Sequence, residues 1–160
     1  MFTKVPSTSF SPSKPLLVWD GACGFCKYWV THWKFKTGNR VNYSPYQEVA
    51  HLVKGIPIKE FKKASRLIET DGSIYSGPNS AYRSFVYFKK PSYFWNKLYA
   101  RSKTFTFISD HSYNFIAKHR SFFFKLTTIC FGKNPKSLKP YWLLWICTFG
   151  LSIIMIVSIL

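Results

Sequence analysis

Leu16-Leu17-Val18-Trp19-Asp20-Gly21-Ala22-Cys23-Gly24-Phe25-Cys26 is the stretch that decides the fold. Four apolar residues make a short strand, the Asp-Gly-Ala turn closes it, and the two thiols stand where the strand hands over to a helix. A helix that begins at or near Cys23 turns its unpaired backbone N–H groups and its positive dipole end toward that sulfur, which favours thiolate over thiol. Cys26 lies one helical turn later on the same face, within reach of a mixed disulfide formed at Cys23. The spacing therefore suits a pair that cycles between dithiol and disulfide.

Two other uses of a Cys-x-x-Cys fit less well. A zinc site needs four ligands in tetrahedral geometry. The remaining cysteines, Cys130 and Cys147, form no second Cys-x-x-Cys, and His32, His51, His111 and His119 are scattered without the short His pair of a finger. No metal or other cofactor is therefore expected. A permanent bridge across so small a loop would constrain the unfolded chain little.

Outward from this stretch the pattern is α/β. Gly24 to about Lys36 reads as a helix ended by Thr37-Gly38-Asn39. Val41–Tyr43 reads as a second strand and Gln47–Val53 as a short helix stopped by Gly55 and Pro57. Leu67–Glu69 and Ile74–Tyr75 flank Asp71-Gly72, a hairpin signal, and Pro78 to Phe88 has helical apolar spacing. Asp110 to Phe131 reads as one helix with Asp110 as its N-cap, and Lys118, Arg120 and Lys125 are placed toward lipid or a partner protein. Glu60 and Asp71 read as surface charges.

The chain resembles the DCC family of thiol-disulfide oxidoreductases. The resemblance rests on Asp20-x-x-Cys23-x-x-Cys26, on Tyr43-Ser44-Pro45-Tyr46-Gln47, on Ser65-Arg66-Leu67-Ile68-Glu69 with Asp71-Gly72 and Ile74-Tyr75-Ser76-Gly77, and on Tyr113-Asn114-Phe115-Ile116-Ala117-Lys118-His119-Arg120. It spans roughly Pro15 to Lys125 and implies a thioredoxin-like domain, which the order β-α-β-α-β-β-α matches. One departure concerns the cis-proline that thioredoxins carry just before their hairpin: Lys62-Lys63-Ala64-Ser65 stands there instead. The candidate catalytic residues are Cys23 as nucleophile, Cys26 as resolving thiol, and Asp20. For Asp20 two readings stand, a carboxylate that bonds the loop backbone in Asx geometry and a group that takes protons from Cys26.

Tyr141 to Leu160 is an apolar run without Asp, Glu, Lys or Arg. About twenty such residues span a bilayer as a helix, and Tyr141, Trp142 and Trp145 sit where aromatic rings settle at the membrane boundary. Lys125, Lys133, Lys136 and Lys139 precede it, so the positive-inside rule places the rest of the chain in the cytoplasm. Phe2 to Pro15, rich in Ser, Pro and Thr, lacks the apolar centre of a signal peptide.

The chain carries 23 Lys and Arg against 6 Asp and Glu, a formal net charge of +17, and is 20% aromatic. Charge of that sign attracts anions. No nucleic-acid motif is present, so no nucleic-acid partner is expected, and Tyr87 to Tyr99 mixes rings with lysines as interfacial segments do. Anionic lipid head groups are the expected sink for the charge. The expected organisation is an N-terminal extension over residues 1–14, a thioredoxin-like domain with extra C-terminal helices over 15–132, a basic linker over 133–140 and one transmembrane helix over 141–160. Two functions follow: a membrane-anchored, cytoplasm-facing thiol-disulfide oxidoreductase acting on a protein thiol or disulfide, or a non-catalytic adaptor subunit of a larger membrane complex.

Overall fold

The computed structural model describes residues 1–148. Its centre is a four-stranded sheet in the order β2-β1-β3-β4, built from β1 (Leu16–Trp19), β2 (Asn42–Pro45), β3 (Arg66–Ile68) and β4 (Ile74–Ser76). β1 runs parallel to β2 and antiparallel to β3, and β3 and β4 form the hairpin expected around Asp71-Gly72. This mixed α/β arrangement is consistent with a thioredoxin-like domain.

Alternation along β1 sends its side chains to two separate cores. Leu16 and Val18 join Tyr46, Val53, Ile56, Phe61, Ile68 and Ile74 on one face. Leu17 joins Val30, Val41 and Leu67 on the other, with Trp19 and Trp33 packed against them. The first face is covered by the segment that holds α2 (Tyr46–Val49) and α3 (Ile58–Lys63). α1 (Gly24–Thr37) supplies Val30 and Trp33 to the second. Gly38, at φ 58°, ends α1 where the sequence predicts a stop.

The N-terminal segment belongs to the same packing unit. Thr8 N–H donates to the Gly72 carbonyl and Ile74 N–H to the Pro6 carbonyl, extending the hairpin by a Ser7–Ser73 bridge. Phe2 is buried against Gly77, which opens α4 (Pro78–Ser84) at φ 60° and ψ −127°. A Cβ at Gly77 would overlap the Phe2 ring. Gly77→Ala is expected to lose about 1–3 kcal/mol, since the backbone conformation is one that L residues avoid. Thermal unfolding checks this; an unchanged Tm would mean that the segment yields freely.

The C-terminal helices differ from expectation in one important way. Instead of one helix from Asp110, the chain forms α5 (Phe94–Arg101), α6 (Lys103–Lys118) and α7 (Arg120–Phe131), with a break at His119. Ser102 is the N-cap of α6, its hydroxyl accepting from Phe105 N–H. Asp110 instead lies inside α6, buried, accepting a hydrogen bond from Tyr99 Oη and pairing with Lys4. At the break, His119 N–H still bonds to the carbonyls of Phe115 and Ile116, so α6 closes properly before α7 sets off. α7 then packs on α1.

Glu60 is also not a surface charge. It is buried and accepts from Thr3 N–H at 2.7 Å and Lys63 Nζ at 2.7 Å, with Arg66 Nη2 at 3.8 Å. Its position one turn into α3 points it back under the sheet, where the fully buried Arg66 needs an anion. Asp71 is exposed as expected and accepts from Ser73 N–H.

Among the described residues no helix is long and apolar enough to cross a membrane. Residues 141–148 are helical, and residues 149–160 of the expected span lie outside the described residues.

Candidate functional site

Cys23 is the N-cap of α1, with extended backbone (φ −94°, ψ 111°), and its Sγ accepts from Cys26 N–H at 3.1 Å. A sulfur in this position takes the role that a serine or aspartate oxygen plays at other helix starts, satisfying one orphan N–H of the first turn. Negative charge on the sulfur strengthens that bond. The Cys23 thiol is accordingly lowered to about 6, first by a hydrogen bond from the Cys26 thiol, then by the Cys26 backbone N–H and the Arg120 guanidinium; burial opposes them. Cys26 is driven the opposite way. Its thiol is raised, chiefly because it donates to Cys23 and next because it is buried. At neutral pH the pair therefore holds one thiolate, on Cys23, and one proton, on Cys26.

The turn before α1 is built by Asp20. Its Oδ1 accepts from Ala22 N–H at 3.2 Å, the expected Asx geometry, and its backbone carbonyl accepts from Cys23 N–H. Gln47 braces the same turn, donating from Nε2 to Asp20 Oδ1 and accepting Gly21 N–H on Oε1. Gly21 leaves no room for a Cβ against the Pro45 ring, which explains why the turn needs glycine there.

Arg120 completes the site, and the sequence reading had placed it toward lipid or a partner. Starting α7 immediately after the break, it donates from Nη1 to Asp20 Oδ2 at 3.2 Å and from Nη2 to the carbonyls of Lys62 and Lys63 at 2.8 and 3.0 Å. Both sulfurs feel its charge. Its nearness was legible only as the last residue of the Tyr113–Arg120 motif. Nothing in local spacing brings a residue 100 positions away onto Asp20.

Ser65, directly before β3, stands where thioredoxins place a cis-proline. Its N–H donates to Tyr113 Oη at 3.1 Å and its hydroxyl bonds to Ser80. The main-chain donor at this point is therefore already used within the chain by α6. Phe124 of α7 lies over Gly24, the first residue of α1, so that the two C-terminal helices close over one side of the dithiol.

Arg120→Gln is expected to raise the Cys23 pKa and slow its alkylation several-fold between pH 6 and 7. Part of the activation survives, because the two hydrogen bonds from Cys26 remain. Iodoacetamide rates against pH give the shift, and an unchanged profile would remove Arg120 from the site's electrostatics.

Cys130 lies on α7 and Cys147 is exposed; all four cysteines are reduced thiols. No curated protein and no solved structure gives a match. Residues 17–126 match the family model described as DCC1-like thiol-disulfide oxidoreductase.

Proposed function

The chain belongs to the DCC1-like thiol-disulfide oxidoreductase family, and we propose that it exchanges disulfides with protein thiols through Cys23 and Cys26 at a membrane surface. The observation that carries the reading is the proton asymmetry of the pair: Cys23 sits at the helix start with its thiol lowered to about 6, while the Cys26 thiol is raised. Cys23 attacks a substrate disulfide, the displaced substrate thiolate takes a proton, and a mixed disulfide forms. Cys26 then loses its proton and attacks Cys23 Sγ, releasing the second substrate thiol and leaving Cys23–Cys26 oxidised. Asp20, fixed between Ala22 N–H, Gln47 and Arg120, holds the turn that presents Cys23. It is also the carboxylate available to take the proton from Cys26 as that sulfur becomes the nucleophile.

Membrane association rests on two features. Ile108, Phe115, Phe122 and Ile129 recur every seventh residue along α6 and α7 and are more than half exposed. They stand among Lys103, Lys118 and Lys125 in a chain with a net charge of +17, and the apolar run Tyr141–Leu160 follows. An apolar face with a basic surround suits anionic lipid. In this reading Tyr141–Leu160 anchors the chain with the dithiol on the cytoplasmic side, where Lys125, Lys133, Lys136 and Lys139 hold it.

Mixed-disulfide trapping in membranes tests the reading. Full-length chain carrying Cys26→Ser, expressed and then acid-quenched, should retain a thiol-labile adduct on Cys23 in the membrane fraction. Recovery in a stoichiometric complex that needs neither cysteine would favour the adaptor instead. Protease added to right-side-out vesicles should spare residues 1–140, and digestion there would reverse the orientation.

A further inference from the structure

A cavity of about 590 Å³ lies behind the dithiol, between α1, α4 and the inner faces of α6 and α7. Cys26 is part of its wall and Cys23 is not. The two sulfurs thus face different surroundings, and an exchange reaction with a protein at Cys23 leaves the Cys26 side of the pair unused. The wall is dominated by rings, among them Trp29, Trp33, Phe85, Phe105 and Phe123. Its polar members gather near the sulfur: Asp20 and Arg120. Trp19, another wall residue, has a buried indole N–H without an acceptor among the described residues.

The geometry points to this cavity as a binding site for a lipid-soluble quinone, which takes electrons from the dithiol through Cys26. Several observations converge on that occupant. The volume falls within the range of about 300–1,000 Å³ that small-molecule sites have. Stacked aromatic walls suit a flat ring, and an apolar interior suits a hydrocarbon tail. A stranded N–H calls for a carbonyl oxygen, which an acyl chain within the cavity would not bring. Arg120, beside the sulfurs, offsets the negative charge that a quinone ring gains on reduction. α6 and α7, whose inner faces line the cavity, are the helices that expose Phe115, Phe122 and Ile129 outward, so the pocket would open next to the bilayer in which such a quinone dissolves.

The chemistry balances without a further reactant. Cys26 gives up its proton and its sulfur bonds to the quinone ring. The Cys23 thiolate attacks Cys26 Sγ, the S–S bond forms, the C–S bond breaks, and the electron pair passes to the ring. The ring takes up two protons, one that Cys26 released and one from water. One thiol and one thiolate have become a disulfide, and the quinone has become the hydroquinone. Substrate thiols that reduce Cys23–Cys26 complete the cycle, so this inference rests on the exchange reading given above.

The test uses the reduced full-length chain in non-ionic detergent with a decyl-substituted benzoquinone whose ring is fully substituted, which prevents permanent arylation. Hydroquinone should appear one for one with loss of the two thiols, at a rate that saturates with quinone concentration. Ala81→Trp, which fills the cavity from α4, and Trp19→Phe, which keeps the volume and removes the N–H, should each slow it about tenfold or more. A rate that rises linearly and is the same in both variants is solution chemistry and overturns the proposal; so does the absence of hydroquinone. Binding is read separately in the Cys23→Ser/Cys26→Ser chain by quenching of tryptophan fluorescence, which needs no turnover. Quenching abolished equally by decanol would show a site for chains alone and overturn the quinone. A Cys26→Ser chain that traps mixed disulfide while quinone stays inert defeats this inference and leaves the exchange reading standing, whereas failure of trapping defeats the exchange reading itself.

Discussion

Cys23→Ser abolishes disulfide exchange, and Cys26→Ser converts the protein into a trap. A serine hydroxyl at the helix start stays protonated at neutral pH, so the first variant loses the nucleophile and its rate falls to that of the uncatalysed reaction, a loss of about 10³-fold or more. The second variant still forms the mixed disulfide at Cys23 but cannot resolve it, because no other thiol is placed one turn along α1. It should also be a poorer nucleophile than the parent chain: the first-ranked contribution to the low Cys23 pKa is the hydrogen bond from the Cys26 thiol, and a serine hydroxyl replaces it imperfectly. Non-reducing gels after acid quench read both outcomes. Equal trapping by both variants would contradict the assigned roles.

Arg66→Ala is expected to cost about 3–5 kcal/mol, the largest stability loss of any single change considered. Arg66 is fully buried in β3, donates to Ser76 Oγ at 2.6 Å and to the Thr3 carbonyl at 3.0 Å, and faces the Glu60 carboxylate. Truncation leaves a void and removes the tie between the hairpin and the N-terminal segment. Against a total stability of about 5–15 kcal/mol this leaves a marginal fold. Arg66→Met should lose less, because it keeps most of the volume and Glu60 retains Lys63 and Thr3 N–H. Urea unfolding orders the two, and a loss below about 1 kcal/mol for alanine would contradict the packing described. Glu60 also predicts acid behaviour. Lys63, the Thr3 N–H and the surrounding charges lower its carboxyl from 4.5 to about 2. A lowered carboxylate contributes stability above its ordinary pKa and forfeits it as protons return, so stability should decline as pH falls from about 4.5 toward 2.

Local signals made the centre of the fold legible. Four apolar residues before Asp20, the thiols spaced by one helical turn, and the Asp71-Gly72 hairpin each specify their conformation within a few residues, and the structure places β1, α1, β3 and β4 accordingly. Long-range partners were not legible. Glu60 looks solvated until Arg66 is seen to need it, and Asp110 looks like a cap until Tyr99 and Lys4 reach it. The break at His119 hides inside a run that is helical by periodicity on both sides, yet that break is what turns Arg120 onto Asp20. The helix-start half of the Cys23 environment could be read from spacing. The guanidinium half, supplied by a residue near the other end of the domain, could not.

The account's central claim is that Cys23 is a thiolate at neutral pH while Cys26 keeps its proton. Alkylation of the reduced full-length chain by iodoacetamide across pH 4 to 10, with the modified residue identified by mass spectrometry, measures this directly. The account predicts a midpoint near 6 with Cys23 as the residue first labelled. A midpoint at or above the free-cysteine value of about 8.5, or first labelling at Cys26, would contradict it.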